Sequence, residues 1–113
     1  MSKLDEKVEL YNSKIKDIDP SYDAELLAKV TKGLGPSIYN KDAETIACSD
    51  AGELDRVRDS FLKKKLSLTT SDDDLDASIK AVCEKMGSSN RSKYRAIFYY
   101  LLTVQYNKQS VYA

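Results

Sequence analysis

The most informative segment of the chain is residues 90–106, which read NRSKYRAIFYYLLTVQY. On a helical wheel its large apolar side chains cover about half of the circumference. Only a narrow strip near Ala96 and Thr103 lacks a large side chain. Helices that are apolar nearly all round are usually buried, so this pattern predicts the central helix of an all-α fold. The apolar positions are Tyr94, Ile97, Phe98, Leu101, Leu102 and Val104, flanked by Tyr99, Tyr100 and Tyr106.

The first residues of this predicted helix are basic. Cations at a helix start oppose the helix dipole, at a cost of up to about 1 kcal/mol each, which indicates that partners lie nearby. The favoured interpretation is pairing with the acidic stretches Glu53–Asp59 or Asp72–Asp76, because most charge clusters are solvated or paired within the chain. The alternative is a site for phosphate or an acidic partner, helped by backbone N–H groups. The candidate binding residues are Asn90, Arg91, Lys93, Tyr94 and Arg95.

Two further helices are predicted on the amino-terminal side of this segment. The run SDDDLDASIKAVCEKMG predicts a helix that begins at Thr70 or Ser71, carries acidic residues in its first turn and ends at Gly87. Residues 50–65 predict another, with a capping box at its start and three lysines at the negative end of its dipole.

The first part of the chain predicts two more helices and a short one. Apolar residues from Leu4 to Ile18 recur at steps of three and four, and a second helix fits residues 21–32. The motif GLGPS predicts a left-handed helix end at Gly33 or Gly35, and a short helix fits residues 41–47. No segment sustains a period of two. We therefore expect one all-α domain over residues 1–113, a compact irregular bundle of five or six short helices.

Composition and cysteine count predict a cytoplasmic protein. The chain has 113 residues, of which 42% are hydrophobic and 32% charged, as in a globular domain. No stretch approaches the roughly 18 apolar residues of a membrane span, and the start, MSKLDEKVELY, has no apolar signal-peptide region. Cys48 and Cys83 form no disulfide framework and have no metal-ligand spacing. They are predicted to be small core residues with reduced thiols.

The charge balance bears on the kind of partner. Eighteen basic residues equal eighteen acidic ones, which disfavours a dedicated nucleic-acid binder without excluding it. Residues 85–113 nevertheless hold five basic residues and no acidic one. We expect an acidic protein or a phosphate-bearing ligand as partner, no membrane, and a monomer or weak homodimer. The sequence does not show whether Lys63–Lys65 and the Arg91–Arg95 cluster share a face, or whether the tail NKQSVYA is ordered.

The residue types argue against an enzyme, a metal site or a cofactor. The chain has no histidine, which removes the commonest general base and the commonest metal ligand. In SDDDLD, Asp72, Asp74 and Asp76 alternate like calcium ligands, but Ala77 and Cys83 stand where the loop needs Gly and Glu. GLGPS lacks the rest of a phosphate-binding loop. No catalytic residue, metal ligand or cofactor is predicted.

Several stretches together resemble one family. They are KVTKGLGPSIYNKDA, ELDRVRDSFLKKKL and SNRSKYRAIFYYLL, followed by a closing SVY. The chain is similar along nearly its whole length to a small bacterial family catalogued as a domain of unknown function, with a Jann4075-like structural branch. The resemblance implies an all-helical fold, in an EF-hand-like arrangement without calcium loops. It implies no reaction, cofactor or partner, and no functional residue is transferred by it.

Three hypotheses about function follow. The first is a small non-catalytic binding or interaction module with an anion site at the start of the last helix. The second is an enzyme that uses carboxylate, Lys or Tyr groups in a cleft between helices. The third is a structural protein that self-associates through tyrosines at the margin of the bundle.

Overall fold

The protein is all-α. The computed structural model describes residues 3–87 and 93–112, apart from the side chains of residues 41 and 42. Within these residues it forms six α-helices, and the single pair of extended residues is an isolated bridge. The helices are α1 (Lys3–Ile15), α2 (Ala24–Gly33), α3 (Lys41–Glu44), α4 (Ala51–Arg56), α5 (Asp72–Met86) and α6 (Arg95–Gln105). A π-helix (Val57–Lys65) follows α4, and 3₁₀-helices cover Gly35–Tyr39 and Gln109–Tyr112.

α6 is the central helix, as its sequence predicts. It packs against α1, α2, α3 and α5. Even the strip without large side chains is covered, since Ala96 and Thr103 are both buried. The Tyr100 hydroxyl accepts a hydrogen bond from the backbone N–H of Asp23 at 2.7 Å. This bond ties the start of α2 to the middle of α6, so Tyr100, which flanks the apolar face in the sequence pattern, anchors a neighbouring helix.

The start of α6 differs from the predicted residue 90. The helix begins at Arg95, and residues 88–92 lie outside the described part of the chain. Tyr94 is extended and forms the bridge with Thr45. The carbonyl of Lys93 accepts a hydrogen bond from the N–H of Ile46 at 2.8 Å. Pairing with this neighbouring segment holds residues 93 and 94 out of the helix.

Capping residues fall close to the predicted positions. Asp50 accepts hydrogen bonds from the N–H groups of Gly52 and Glu53, at 3.0 and 3.3 Å. Ser71 caps α5, and Gly87, with a φ of 96°, ends it. The return half of the predicted capping box is absent, because the Glu53 side chain bonds to two arginines, Arg56 and Arg95.

The helix predicted over residues 50–65 is continuous but changes its type. α4 passes into the π-helix at Val57. There the backbone hydrogen bonds span five residues, as from the Leu66 N–H to the Phe61 carbonyl at 2.9 Å, which widens the turn. The buried residues of this segment are Val57, Phe61, Leu62 and Leu66, separated by four, one and four positions. The wider turn suits this spacing, because it keeps the buried side chains on one face. π-helical turns are rare and are often found at functional sites.

The prediction of two reduced, unpaired cysteines is wrong. Cys48 and Cys83 form a disulfide with a Cα–Cα distance of 6.1 Å. Cys48 lies in the turn before α4 and Cys83 in the last part of α5. The two are 35 residues apart in sequence, so only the packing of α4 against α5 brings them together.

The helices differ from membrane spans in length and polarity. Within residues 3–87 and 93–112, no helix is both long and apolar enough to cross a bilayer. α6 has the most apolar residue composition of the longer helices described but only 11 residues, whereas a span needs about 20.

Candidate functional site

The predicted binding residues surround the junction between the bridge and α6. Asn90 and Arg91 lie outside the described residues. Lys93 is buried, with 7% of its surface exposed, and Tyr94 and Arg95 are half-buried. The three described members therefore expose less surface than a solvated basic cluster would.

Tyr94 packs into a polar cluster beneath α1. Its ring centroid lies 5.0 Å from that of Tyr11, which is fully buried. The Tyr11 hydroxyl donates a hydrogen bond to the Glu44 carboxylate at 2.5 Å, and Lys7 Nζ donates to the same oxygen at 2.7 Å. Burial and the bond to Glu44 raise the pKa of Tyr11, so this phenol stays protonated and acts as a donor. The cluster ties α1 to α3, and its Tyr11 ring packs against the Tyr94 ring.

Arg95 is held from three sides within the protein. Its Nε donates to the carbonyl of Ala43 at 2.7 Å, and its Nη1 donates to the Tyr99 hydroxyl at 3.0 Å. Its Nη2 donates to the Glu53 carboxylate. Burial by itself would raise the pKa of Glu53, but the hydrogen bonds from Arg56 and Arg95 outweigh burial and lower it. Of the two acidic stretches that the sequence offered as partners, Arg95 pairs with the one that contains Glu53.

The acidic run of α5 has other partners. Arg58 Nη1 donates to Asp76 at 3.1 Å and to Asp55 at 3.2 Å. Lys63 Nζ lies 2.5 Å from the Asp72 carboxylate. These ion pairs join the π-helix to the first turns of α5, so the run DDDLD serves both the start of α5 and its attachment to the π-helix.

A pocket of about 240 Å³ opens on the side of α6 that faces the π-helix. We call it the aromatic pocket, because three of its side chains are aromatic rings. The π-helix, α6, the end of α2 and the last 3₁₀-helix all contribute to it. Its lining residues are Gly33, Leu34, Ser60, Phe61, Lys65, Tyr99 and Tyr112.

The rings and the cation of this pocket lie close together. Phe61 and Tyr99 are stacked, with ring centroids 3.9 Å apart and an angle of 14° between the planes. Lys65 Nζ lies 5.0 Å from the centroid of the Tyr112 ring. Burial raises the pKa of Tyr112 to about 12, with a smaller contribution from Tyr99, so its hydroxyl remains protonated at neutral pH.

Gly33 lets Tyr112 reach the pocket. A Cβ atom built on Gly33 would lie 3.3 Å from Cε1 of Tyr112, which is tighter than ordinary van der Waals contact. The absence of a side chain at the end of α2 thus gives the ring its position. The tail whose order the sequence left open is helical over Gln109–Tyr112 and packs against α2.

Tyr99 lies between Arg95 and Lys65, which belong to the two basic clusters whose relative position the sequence did not show. Its hydroxyl accepts the hydrogen bond from Arg95, and it lines the aromatic pocket together with Lys65. Arg95 and Lys65 therefore contact one continuous surface, while Lys63 pairs with Asp72. Sequence reasoning did not assign Tyr112 or Ser60 to a site, although Tyr112 belongs to the closing SVY of the family resemblance.

The fold and this site define a small helical domain with an aromatic pocket and one disulfide. The chain matches the family described as "Protein of unknown function (DUF2853)" over residues 10–110 and belongs to it. No curated protein matches the chain. Membership confirms the resemblance to a family of unknown function, while the Jann4075-like branch, the bacterial origin and the EF-hand-like arrangement stay predictions.

Proposed function

We propose that this protein is a small non-catalytic binding module whose ligand carries a phosphate and a flat aromatic ring, and that the ligand occupies the aromatic pocket. The observation that carries the proposal is the meeting of three aromatic rings with Lys65 around one opening. Aromatic side chains stack on flat rings, and lysine is a common phosphate-binding group. The pocket is below the usual size for a drug-sized ligand, about 300–1,000 Å³, which suits a group such as a single nucleobase.

The roles of the two basic groups follow from their contacts. Three of the five N–H donors of Arg95 bind Ala43, Tyr99 and Glu53, and only 15% of the side chain is exposed, so an anion has little access to it. Lys65 is exposed and touches the pocket through the Tyr112 ring. We therefore assign phosphate binding to Lys65 and the positioning of Tyr99 to Arg95.

The start of α6 is the alternative binding site for the same kind of ligand. This is the sequence-predicted site of Asn90, Arg91, Lys93, Tyr94 and Arg95. It differs from the aromatic pocket in a testable way, because Arg91 belongs only to the former and Lys65 only to the latter.

The hypothesis of an enzyme finds less support. A catalytic acid needs a carboxyl group whose pKa is raised toward neutrality. Glu53, one of the shielded carboxyl groups, has the opposite property, because Arg56 and Arg95 lower its pKa.

The cytoplasmic location is also part of the proposal. Disulfides in reducing compartments are usually transient and catalytic or redox-sensing rather than permanent. A cytoplasmic location therefore requires that the bond between Cys48 and Cys83 be one that thiols can open. Alkylation of thiols in intact expressing cells, followed by mass measurement, gives the state of the bond in that compartment.

Binding is tested with adenosine 5′-monophosphate, and with adenosine and inorganic phosphate as its two halves, by calorimetry at low salt. We expect saturable binding of the nucleotide and weaker binding of either half. Lys65→Gln is expected to weaken binding about tenfold, as for the loss of a charged hydrogen bond. Lys64→Gln is the matched control, because Lys64 is the exposed neighbour that does not line the pocket.

Two outcomes contradict the assignment. Equal losses from the Lys64 and Lys65 variants would show only unspecific charge attraction. If Arg91→Glu abolishes binding while Lys65→Gln leaves it intact, the ligand belongs to the start of α6. No saturable binding of the nucleotide would reject the proposed ligand class.

A further inference from the structure

We propose that the Cys48–Cys83 disulfide is a thiol-exchange site, at which a low-molecular-weight thiol attacks Cys48 and forms a mixed disulfide there. A second pocket, of about 290 Å³, lies between α4 and α5. Both cysteines line it, so a small molecule in this pocket meets the disulfide directly. The proposal is independent of the ligand assigned to the aromatic pocket.

The surroundings of the two cysteines differ in a way that selects the attacked sulfur. Cys48 is half-buried and lies in a turn, where the Asp50 N–H donates to the Ala47 carbonyl at 3.0 Å. Cys83 is buried, with 9% of its surface exposed, on the core face of α5. Exchange requires access to the attacked sulfur. The more exposed Cys48 therefore receives the thiol, and Cys83 is the leaving group.

The pocket can stabilise the charge that develops on the leaving sulfur. Lys80 lines the pocket and precedes Cys83 by three residues, which places both on one side of α5. A nearby cation favours a thiolate. Asp55 and Asp76 also line the pocket, but Arg58 donates hydrogen bonds to both, which offsets their negative charge. Apolar surface from Leu54 and Ile79 completes the lining.

The exchange is balanced without any oxidant. The thiolate of the small molecule forms a bond to Cys48 Sγ as the bond between Cys48 Sγ and Cys83 Sγ breaks. The electron pair of the broken bond stays on Cys83, which leaves as a thiolate. A second thiol can attack the outer sulfur of the mixed disulfide, which releases the small-molecule disulfide and leaves Cys48 reduced. The reverse step, attack by the Cys83 thiolate on Cys48, restores the original bond.

The first experiment treats the oxidised protein with reduced glutathione and, separately, with 2-mercaptoethanol under native conditions. Samples are quenched with acid and examined by intact mass and by peptide mapping. We expect one thiol adduct per chain, on the peptide with Cys48, and a free thiol at Cys83. An adduct mainly on Cys83, equal adducts on both, or two free thiols in the protein as purified without reductant would each overturn the proposal.

The second experiment separates exchange in the folded protein from exchange after unfolding. We expect the rate to be nearly constant in urea below the unfolding transition, and Lys80→Gln to slow it a few-fold. Lys85→Gln is the matched control, because Lys85 is also close to Cys83 in sequence but lines a different pocket. A rate that rises with urea in step with global unfolding would show a purely structural disulfide, and equal effects of the two lysine variants would remove the role of Lys80.

Discussion

Arg95 and Glu53 form an ion pair that joins the first turn of α6 to α4 across 42 residues of sequence. Both side chains are shielded, with 15% of Arg95 and 13% of Glu53 exposed. The carbonyl of Ala43 and the hydroxyl of Tyr99 satisfy further donors of the guanidinium group. A shielded pair whose arginine makes further hydrogen bonds is much more costly to break on one side than to remove altogether.

Arg95→Ala is expected to lower the free energy of unfolding by about 3 kcal/mol, because Glu53 is left without its main buried partner. Urea denaturation measures this loss. The double variant Arg95→Leu with Glu53→Leu should recover much of it, since no charge is then stranded. A double variant as unstable as Arg95→Ala would show that packing, not charge pairing, dominates at this position.

The same pair makes stability sensitive to acid. The folded state lowers the pKa of Glu53, so its stabilising contribution is complete above the unfolded value of about 4.3 and is lost as the pH falls through the folded value. We expect Glu53→Gln to show a shallower loss of stability than the wild type below about pH 4. Unfolding curves collected between neutral pH and acid test this. Parallel pH profiles for the two proteins would contradict it.

Tyr112 is expected to contribute to the loss of stability at high pH. Its pKa is raised to about 12 in the folded protein, so its contribution is complete below the unfolded value of about 10 and is lost as the pH rises through the folded value. Tyr112→Phe should therefore retain more of its neutral-pH stability above pH 10. Ultraviolet titration of the two proteins gives a direct check, since the variant should lack one tyrosine that titrates near pH 12.

Gly33→Ala tests the contact between the end of α2 and Tyr112 in the last 3₁₀-helix. The new Cβ would lie 3.3 Å from the Tyr112 ring, so we expect the ring to move and its pKa to fall toward the ordinary value. Global stability should change little, because Ala gains about 0.5–1 kcal/mol over Gly from the backbone. Gly52→Ala is a control at the start of α4, away from the aromatic pocket. An unchanged Tyr112 titration in Gly33→Ala would show that the tail adapts without leaving the pocket.

The disulfide is expected to contribute about 4 kcal/mol to stability, as a chain-entropy argument gives for a loop of this length. The double variant Cys48→Ser with Cys83→Ser should lose this amount in thermal unfolding. Wild-type protein fully reduced with dithiothreitol should match the variant. If reduction leaves the thermal midpoint unchanged, the bond constrains nothing that the helices do not already hold.

Local sequence signals predicted the helices well. Apolar spacing identified α6 as the buried centre, and Asp50, Ser71 and Gly87 end or begin helices where their side chains or backbone preferences predict. These features involve groups a few residues apart, so the sequence alone contains the information. The sequence prediction was wrong where a distant residue competes with a local contact. The capping box predicts that the Glu53 side chain bonds to the start of its own helix, but it bonds to Arg95.

The sequence by itself therefore determined the all-α class, the central helix and the family. Only the tertiary structure decided the disulfide between Cys48 and Cys83, the π-helical turns and the aromatic pocket around Tyr99. Each of these depends on groups that lie far apart in the chain or on a change in hydrogen bonding that has no compositional signature. Periodicity records which face of a helix is buried, but it does not record which other helix covers that face.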